Sequence, residues 1–512
     1  MAKPEFKFYL DTANDGSFAA NITAKVISCD WQLGFAAPFD RMARDNTAAL
    51  VVNNVSRDFS PEYSSGIYYG NLTTGRAIKI TSTYASVTRT MWLGWIASIA
   101  PDSNSNGQRQ ATITCSGWME RALRRESLIP IQLNKRADEI IAVILDESDI
   151  LPPSVIGVWI LGNSLLGTNT ILGAVSNYYS ADTGDSTFAF AGDWEANTSV
   201  HSAIMQTVDR EAGRFFQKRD GKLQFYRRLH FPTDVTSLVT LTDKNSEMDY
   251  EFGADVANIV QVQYQPRSVG TAGDTVATLS AAVAIAAADT LDIEFRFTDG
   301  AGTTIGATAL ITPVPTTDYT VFANDDGTGA NLTANVTASI TATNATAAIV
   351  RYTNTGAAGY VMPTAKLRGT PLTKYEIQTY TATDDASVLA YGKLGYSSSG
   401  VQDTLSDATT LGDYDLSLFK DPVGRVNSIT FAGWDTTLTA TILTYSIGTR
   451  ITMHETQTGV NGDWFILGES HRFSSEDWRV QWVLEDAGTI IYWALGAAGY
   501  SELNSTTILG PL

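Results

Sequence analysis

The chain holds 512 residues, and at roughly 100 to 200 residues per domain this length predicts three or four domains, each able to bury its own core. A hydrophobic content of 44% beside 17% charged residues excludes a disordered chain and a coiled coil. Lys and Arg number 35 against 54 Asp and Glu, a net charge of −19, which opposes a duplex binder that must neutralise phosphates; no tight nucleic-acid partner is expected.

The first ~130 residues read as short β-branched or aromatic runs divided by Gly, Pro, Asn and Ser. Strands are predicted at Lys25 to Trp31, Ala48 to Val52, Ala77 to Ile80, Met91 to Ile96 and Ala111 to Cys115, a spacing that suits a small barrel or sandwich. Cys29 and Cys115, the two cysteines of the chain, fall inside these runs; they cannot form a disulfide scaffold and are expected as buried free thiols. Met1 to Phe6 lack the apolar run of a signal peptide, and no stretch reaches the ~18 to 20 apolar residues of a membrane span. A helix follows, capped by Asn134, with Asp138 and Glu139 in its first turn and Ala137, Ile140, Ile141, Ile144 and Leu145 on one face. Residues 150 to 195 predict loops and short strands, with Trp159 to Gly167 as an edge or contact surface. The stripe Val200, Ile204, Val208 and Ala212 predicts a second helix from Thr198, ended by Gly213. Asp220-Gly221 between Phe215 to Arg219 and Lys222 to Arg227 predicts a hairpin with a two-residue type I′ turn. Asn258 to Tyr264 alternates as a further strand.

Composition shifts at about Gly270. Residues 271–370 contain 22 Ala and 22 Thr but 12 charged residues, and strands such as Leu291 to Phe297 point to an Ig-like sandwich. Beyond it a helix is predicted around residues 405 to 418, then strands carrying Trp434, Trp464, Trp478, Trp482 and Trp493, which make a second barrel.

The motifs assign no catalytic, cofactor-binding or metal-binding residue, and no cofactor is expected. Ser164 in Gly162-Asn163-Ser164-Leu165-Leu166-Gly167 misses nucleophile-elbow spacing by one residue and reads as a loop serine. His201, His230, His454 and His471 show no metal-ligand spacing. Gly327-Thr328-Gly329 lacks the third glycine and helix of a phosphate cradle and reads as a turn beside Asp325-Asp326. The many acids leave a glycosidase carboxylate pair open, because the separation that defines one is spatial. The Trp and Tyr residues lie mostly in alternating strands, where core packing accounts for them better than sugar stacking.

Val26 to Gly34, Asn53 to Pro61, Gly75 to Ile80 and Trp92 to Ile96, in that order, resemble the N-terminal barrel of tailed-bacteriophage minor tail and baseplate hub proteins. The resemblance continues through Asp138 to Leu145, Glu211 to Phe216 leading into Asp220 to Leu223, and Val256 to Val260. It closes on Trp464 to Phe473 and Trp478 to Trp482, similar to the last barrel of such proteins. Asp318 to Thr320, Asp326 to Thr333 and Lys366 to Gly369 resemble an Ig-like insertion of tail proteins. The implied fold is mainly β and multidomain: two tail-tube-like β-barrels, a small α+β domain and an Ig-like β-sandwich insertion. The implied boundaries are 1–130 for the first barrel, 131–268 for the α+β domain with a returning strand, 269–374 for the insertion and 375–512 for the second barrel.

The resemblance implies a structural hub in the virion, at the distal tip of the phage tail. It would close the tube and form the platform and channel for host attachment and DNA passage, without enzymatic activity. The implied partners are two further copies in a homotrimer whose paired barrels match a six-fold ring, the tail tube or distal tail protein ring, the tape measure protein, and tail fibre or receptor-binding proteins. Host surface glycans are a further partner class. A receptor- or carbohydrate-binding minor tail protein is the alternative, and a tail-associated glycosidase a third; no lysozyme or peptidase module follows the hub-like sequence.

Overall fold

The computed structural model describes residues 3–102, 109–127, 129–148, 150, 178–194, 197–344, 346–435, 437–474, 477–487, 491–492 and 507–508. The predicted N-terminal strands lie within β1 (Glu5–Leu10), β2 (Ala20–Asn21), β3 (Val26–Gly34), β4 (Thr47–Asn53), β5 (Ala77–Tyr84), β6 (Val87–Pro101) and β7 (Gln110–Ser116). Alternation decides which face each strand buries: Phe6, Phe8 and Leu10 of β1 are buried in the core, Glu5 is exposed, and Lys7 and Tyr9 are only partly buried. β6 runs for 15 residues and shifts register at two bulges, pairing β5 along its first part and β7 along its second. Bulges bend a strand and increase its twist, so one long strand serves two neighbours.

After the short α1 (Trp118–Arg124), β8 (Gln132–Arg136) leads into α2 (Ala137–Glu147), whose five expected apolar residues are all buried. The cap differs from expectation. Asn134 lies inside β8 with φ 51°, and the helix starts after Arg136, whose N–H donates to Glu139 at 3.0 Å. β9 (Tyr179–Ala181) and β10 (Thr187–Ala191) precede α3 (Val200–Glu211), capped by the Ser199 hydroxyl. Ala212, not Gly213, takes the left-handed position at its end, and its carbonyl accepts from Arg41. Gly213 is needed for another reason: a Cβ there would meet the Tyr226 carbonyl at 2.6 Å.

The hairpin of β11 (Arg214–Gln217) and β12 (Leu223–Tyr226) forms as predicted, with a longer turn. Lys218 N–H bonds the Lys222 carbonyl at 2.7 Å, and only Gly221 in the turn has positive φ (84°). This is a three-residue connection with glycine in the left-handed position, which lets Arg219 leave the ribbon. α4 (His230–Thr233), β13 (Thr240–Thr242), β14 (Glu247–Phe252) and β15 (Ile259–Tyr264) complete this half.

Residues 267–374 build ten strands: β16 (Arg267–Val269), β17 (Asp274–Thr278), β18 (Val283–Ile285), β19 (Thr290–Arg296), β20 (Gly306–Ile311), β21 (Val321–Phe322), β22 (Val336–Thr343), β23 (Ala347–Asn354), β24 (Gly359–Val361) and β25 (Lys366–Lys374). They form three small sheets around a core of their own, centred on Phe295, Phe297, Tyr319, Val350 and Tyr352. The expected turn is present: Gly327 and Gly329 both have positive φ and Thr328 N–H donates to Asp326 at 2.9 Å.

The chain then returns through β26 (Gln378–Thr383), α5 (Asp385–Tyr391), β27 (Gly395–Gln402) and α6 (Leu405–Phe419), and ends in β28 (Gly424–Ala432), α7 (Thr439–Thr444), β29 (Arg450–Glu455), β30 (Val460–Ser474) and β31 (Trp478–Asp486). Residues 378–419 do not join the strands that follow them. β26 and β27 flank β15, α6 covers that small sheet, and Val260, Val262, Ala382, Ala408 and Leu411 share a separate core. The two expected barrels are likewise joined in one 13-stranded sheet, in the order β14-β28-β31-β30-β3-β4-β7-β6-β5-β1-β2, with β29 and β13 branching from β30. Its recorded ladders close no barrel among the described residues. One hydrophobic core underlies this sheet, and the α+β segment packs into the same core. The protein is mainly β, with several sheets.

Candidate functional site: the seam of the large sheet

The two ends of the chain meet where β3 pairs with β30, antiparallel from Ser28 opposite Ser474 to Gly34 opposite Gly468. The seam ends on facing glycines because the backbones there come too close for side chains: a Cβ on Gly34 would collide with the Leu467 carbonyl, and one on Gly468 with the Phe35 carbonyl. On the buried side His471 stacks on Trp31 at 4.6 Å and on Trp478 at 6.1 Å. Phe6 packs edge-on to Trp478 and beside Phe473, both at 4.9 Å.

Beneath the seam lies an ionic knot. Arg219, projected by the β11–β12 turn, donates from Nε to Glu469 at 2.9 Å and also pairs it through Nη2, while its remaining N–H groups reach the Ile442, Leu443 and Tyr445 carbonyls at 3.0 Å. Glu469 is fully buried; burial alone would push its carboxyl up, but Arg219 and the His471 hydrogen bond pull it down to about 2. Trp478 Nε1 donates to His471 Nδ1 at 3.3 Å, so the ring is neutral and donates from Nε2 to Glu469 at 3.0 Å, a tautomer assigned from these partners. Burial pushes the His471 pKa below its ordinary value, partly offset by Glu469.

The opposite, open face of the seam forms a polar groove of about 670 Å³, lined by Gln32, Thr47, Thr114, Thr430, Ser470 and Gln481 among others. Its charged residues balance: Asp30 and Glu247 against Arg472 and Arg479. Arg472 lies 3.8 Å from Asp30, and Arg479 is 3.0 Å from Asp477. The face presents hydrogen-bonding groups without a basic lining.

The residues weighed as chemical candidates do not converge. Ser164, the run Trp159 to Gly167 and Trp493 lie outside the described residues. His201 is half-buried on α3, with burial lowering its pKa. His230 stacks on Tyr226 at 3.5 Å and meets Asp182 at 2.7 Å. His454 lies on β29, and His471 is locked in the seam. Cys29 and Cys115 are buried and free, and burial raises both thiol pKa values. Among the described residues no group of three or more His, Cys, Asp or Glu could hold a metal ion.

The side chains that organise the site escaped sequence reasoning. Besides Arg219 and Glu469 they include Arg214, whose Nη2 reaches both carboxylate oxygens of Glu485 at 2.6 and 2.7 Å, and Arg210, whose Nε lies 2.8 Å from Asp403. Their partners lie 193 to 271 residues apart in sequence, and no local pattern signals such pairs.

Among solved structures, the chain is similar to the prophage MuSo2 43 kDa tail protein from Shewanella oneidensis, at 10% identity and TM-score 0.49 over 94% of this chain and 98% of that one. It is also similar to a tail protein from Neisseria meningitidis, at 10% identity and TM-score 0.46 over 95% and 97% of the two chains. A third similar structure is the prophage tail protein gp18 from Listeria monocytogenes, at 7% identity and TM-score 0.40 over 94% of each chain. No family model matches the chain, and no curated protein does.

Proposed function

We propose that this chain is a structural hub at the tip of a bacteriophage tail, and that its sheet forms part of a tube wall. The observation that carries the reading is the 13-stranded sheet, in which each end of the chain contributes a half built around a 15-residue bulged strand, β6 or β30. Both halves turn their apolar residues to one shared core and leave a polar face open. Two similar halves side by side are what a three-fold assembly needs to meet a six-fold ring. The ordered fragments in the sequence that resemble hub proteins support the same conclusion.

In this reading the halves of the large sheet are the tube-like units, the segment around α2 and α3 buttresses them, and residues 267–374 are an Ig-like insertion standing outside the wall. The open groove face lines the channel, where balanced charge would let DNA pass without being held at each phosphate. The work of the protein is assembly, plugging and opening, with no bond chemistry. Cryo-electron microscopy of assembled tails tests this. Three copies around a central channel at the tip are expected; six copies, or asymmetric placement in intact particles, would overturn it.

A further inference from the structure

The insertion meets the rest of the chain at a two-stranded neck, where β16 carries the chain in and the end of β25 carries it out. Arg267 lies opposite Lys374 across this ribbon. The insertion's apolar core shares no buried residue with either core of the body, so hydrophobic burial does not set the direction in which it projects. The neck is the outer end of a four-stranded sheet, in which β25 also pairs β17 and β20, and it narrows to two strands at Arg267 and Lys374; two strands by themselves are weakly stable and twist readily. Something else must hold the angle.

Asp193, two residues beyond β10, occupies that position. Its carboxylate lies 2.8 Å from Arg267 Nη1 and 2.5 Å from Lys374 Nζ, so one side chain of the body grips both strands of the neck. The Arg267 guanidinium also lies over the Phe190 ring at 5.1 Å and 3.6 Å from Asp403, which Arg210 holds in turn. These groups border a cavity of about 330 Å³ beside Trp194 and Thr207, which leaves the side chains room to part.

We infer that Asp193 is a latch that fixes the orientation of the insertion on the body, and that removing its charge turns a rigid projection into a swinging one. The charged groups facing Asp193 are Arg267, Lys374 and Arg210, with Asp403 behind them. Burial pushes the Asp193 carboxyl up, and the three cations pull it back below its ordinary value, so the latch stays closed at pH 5. The inference is independent of the hub reading, because it concerns one chain alone.

The test is a distance measurement by pulsed electron resonance on the full chain, with spin labels at Thr337→Cys in the insertion and Thr88→Cys in the body. Both positions are exposed, whereas the native Cys29 and Cys115 are buried and escape labelling. With Asp193 intact a single narrow distribution is expected, unchanged between pH 7 and pH 5. D193N should broaden it about twofold, since domains without a shared apolar interface move relative to one another by default, and D193E should restore most of the narrow peak. K374M, at a partly exposed end of the latch, should broaden it in the same direction and serves if D193N fails to fold. A D193N or K374M protein that is folded by circular dichroism and as narrow as the parent would overturn the inference.

Discussion

The body and the insertion are both β structures with closed cores, yet they are held together by different means. The body buries Trp92, Trp118, Trp478 and Trp482 completely and threads charged pairs through its interior, each joining residues from distant parts of the chain. The insertion fills its core with Phe, Tyr, Val and Ala, and its one largely buried carboxylate among the described residues, Asp318, pairs with the partly exposed Arg368 at 2.7 Å. A buried charge tolerates no missing partner, whereas an apolar core of small residues yields gradually. The body is therefore interlocked and the insertion self-sufficient.

The sharpest way to break this contrast is to remove one side of the seam knot. Glu469→Gln leaves the Arg219 charge buried without its counter-ion and should cost about 3–5 kcal/mol, read as a lowered body transition in calorimetry while the insertion transition stays in place. A single transition moving as one unit would show that the two regions are not independent. Trp31→Ala, which empties the space against His471, should cost the body about 3–5 kcal/mol or somewhat less if the seam collapses into it.

The pH dependence separates the regions next. In the body, burial raises Glu211 to about 7 against its Arg228 and backbone partners, Asp415 to about 6 against Arg41, and Asp45 to about 6 against the Gly117 and Glu120 N–H groups. Between those values and the ordinary carboxyl range the folded body binds more protons than the unfolded chain, so its stability rises as pH falls from about 7 to about 4.5. Below the ordinary histidine pKa the lowered His471 and His201 oppose this, while Asp209, also raised by burial, adds to it. Below about 4.5 the depressed Glu469 reverses the trend, and its contribution is lost as pH falls toward about 2. In the insertion the shifted carboxyls Asp292, Asp318 and Asp326 all move downward, so its transition should hold constant from pH 8 to pH 5. Differential scanning calorimetry at stepped pH reads both; a body transition that falls between pH 7 and pH 5 would contradict the assignment of these buried acids.

The smallest effect should come from deleting the insertion. Joining Pro266 to Thr373 through a short flexible linker should leave the body transition nearly unmoved and, in the hub reading, leave tail tips assembled with adsorption reduced at most. Particles without tips would place the insertion in the wall.

What the sequence showed and what it hid follow the range of the forces involved. The strands β3 to β7 are legible because alternation and Gly, Asn and Pro breaks are local, and α2 and α3 because their apolar stripes repeat within a few residues. Asn134 has the chemistry of a cap, but the Glu139 contact to the Arg136 N–H starts the helix two residues later. Residues 378–419 read as the start of a second barrel, since nothing in Gln378 to Thr383 reveals that its ladder partner is β15, on the far side of the insertion. Strand partners are chosen by tertiary packing, which local propensity does not encode. Arg219 and Glu469 were invisible for the same reason: a turn arginine looks solvent-exposed until the carboxylate it serves is brought beneath it.

The seam also sets a schedule for synthesis. Phe39, just past β3, donates its N–H to Glu485 at 2.6 Å, 446 residues further along the chain. At about 5–20 residues per second, β3 waits on the order of half a minute or more beside the ribosome for β30 to appear. During that interval its outer edge is an unpaired template for any neighbouring nascent strand. On a polysome the most dangerous neighbour is another copy of the same chain, so yield on expression should fall with crowding of translating ribosomes before any defect in the finished protein is seen.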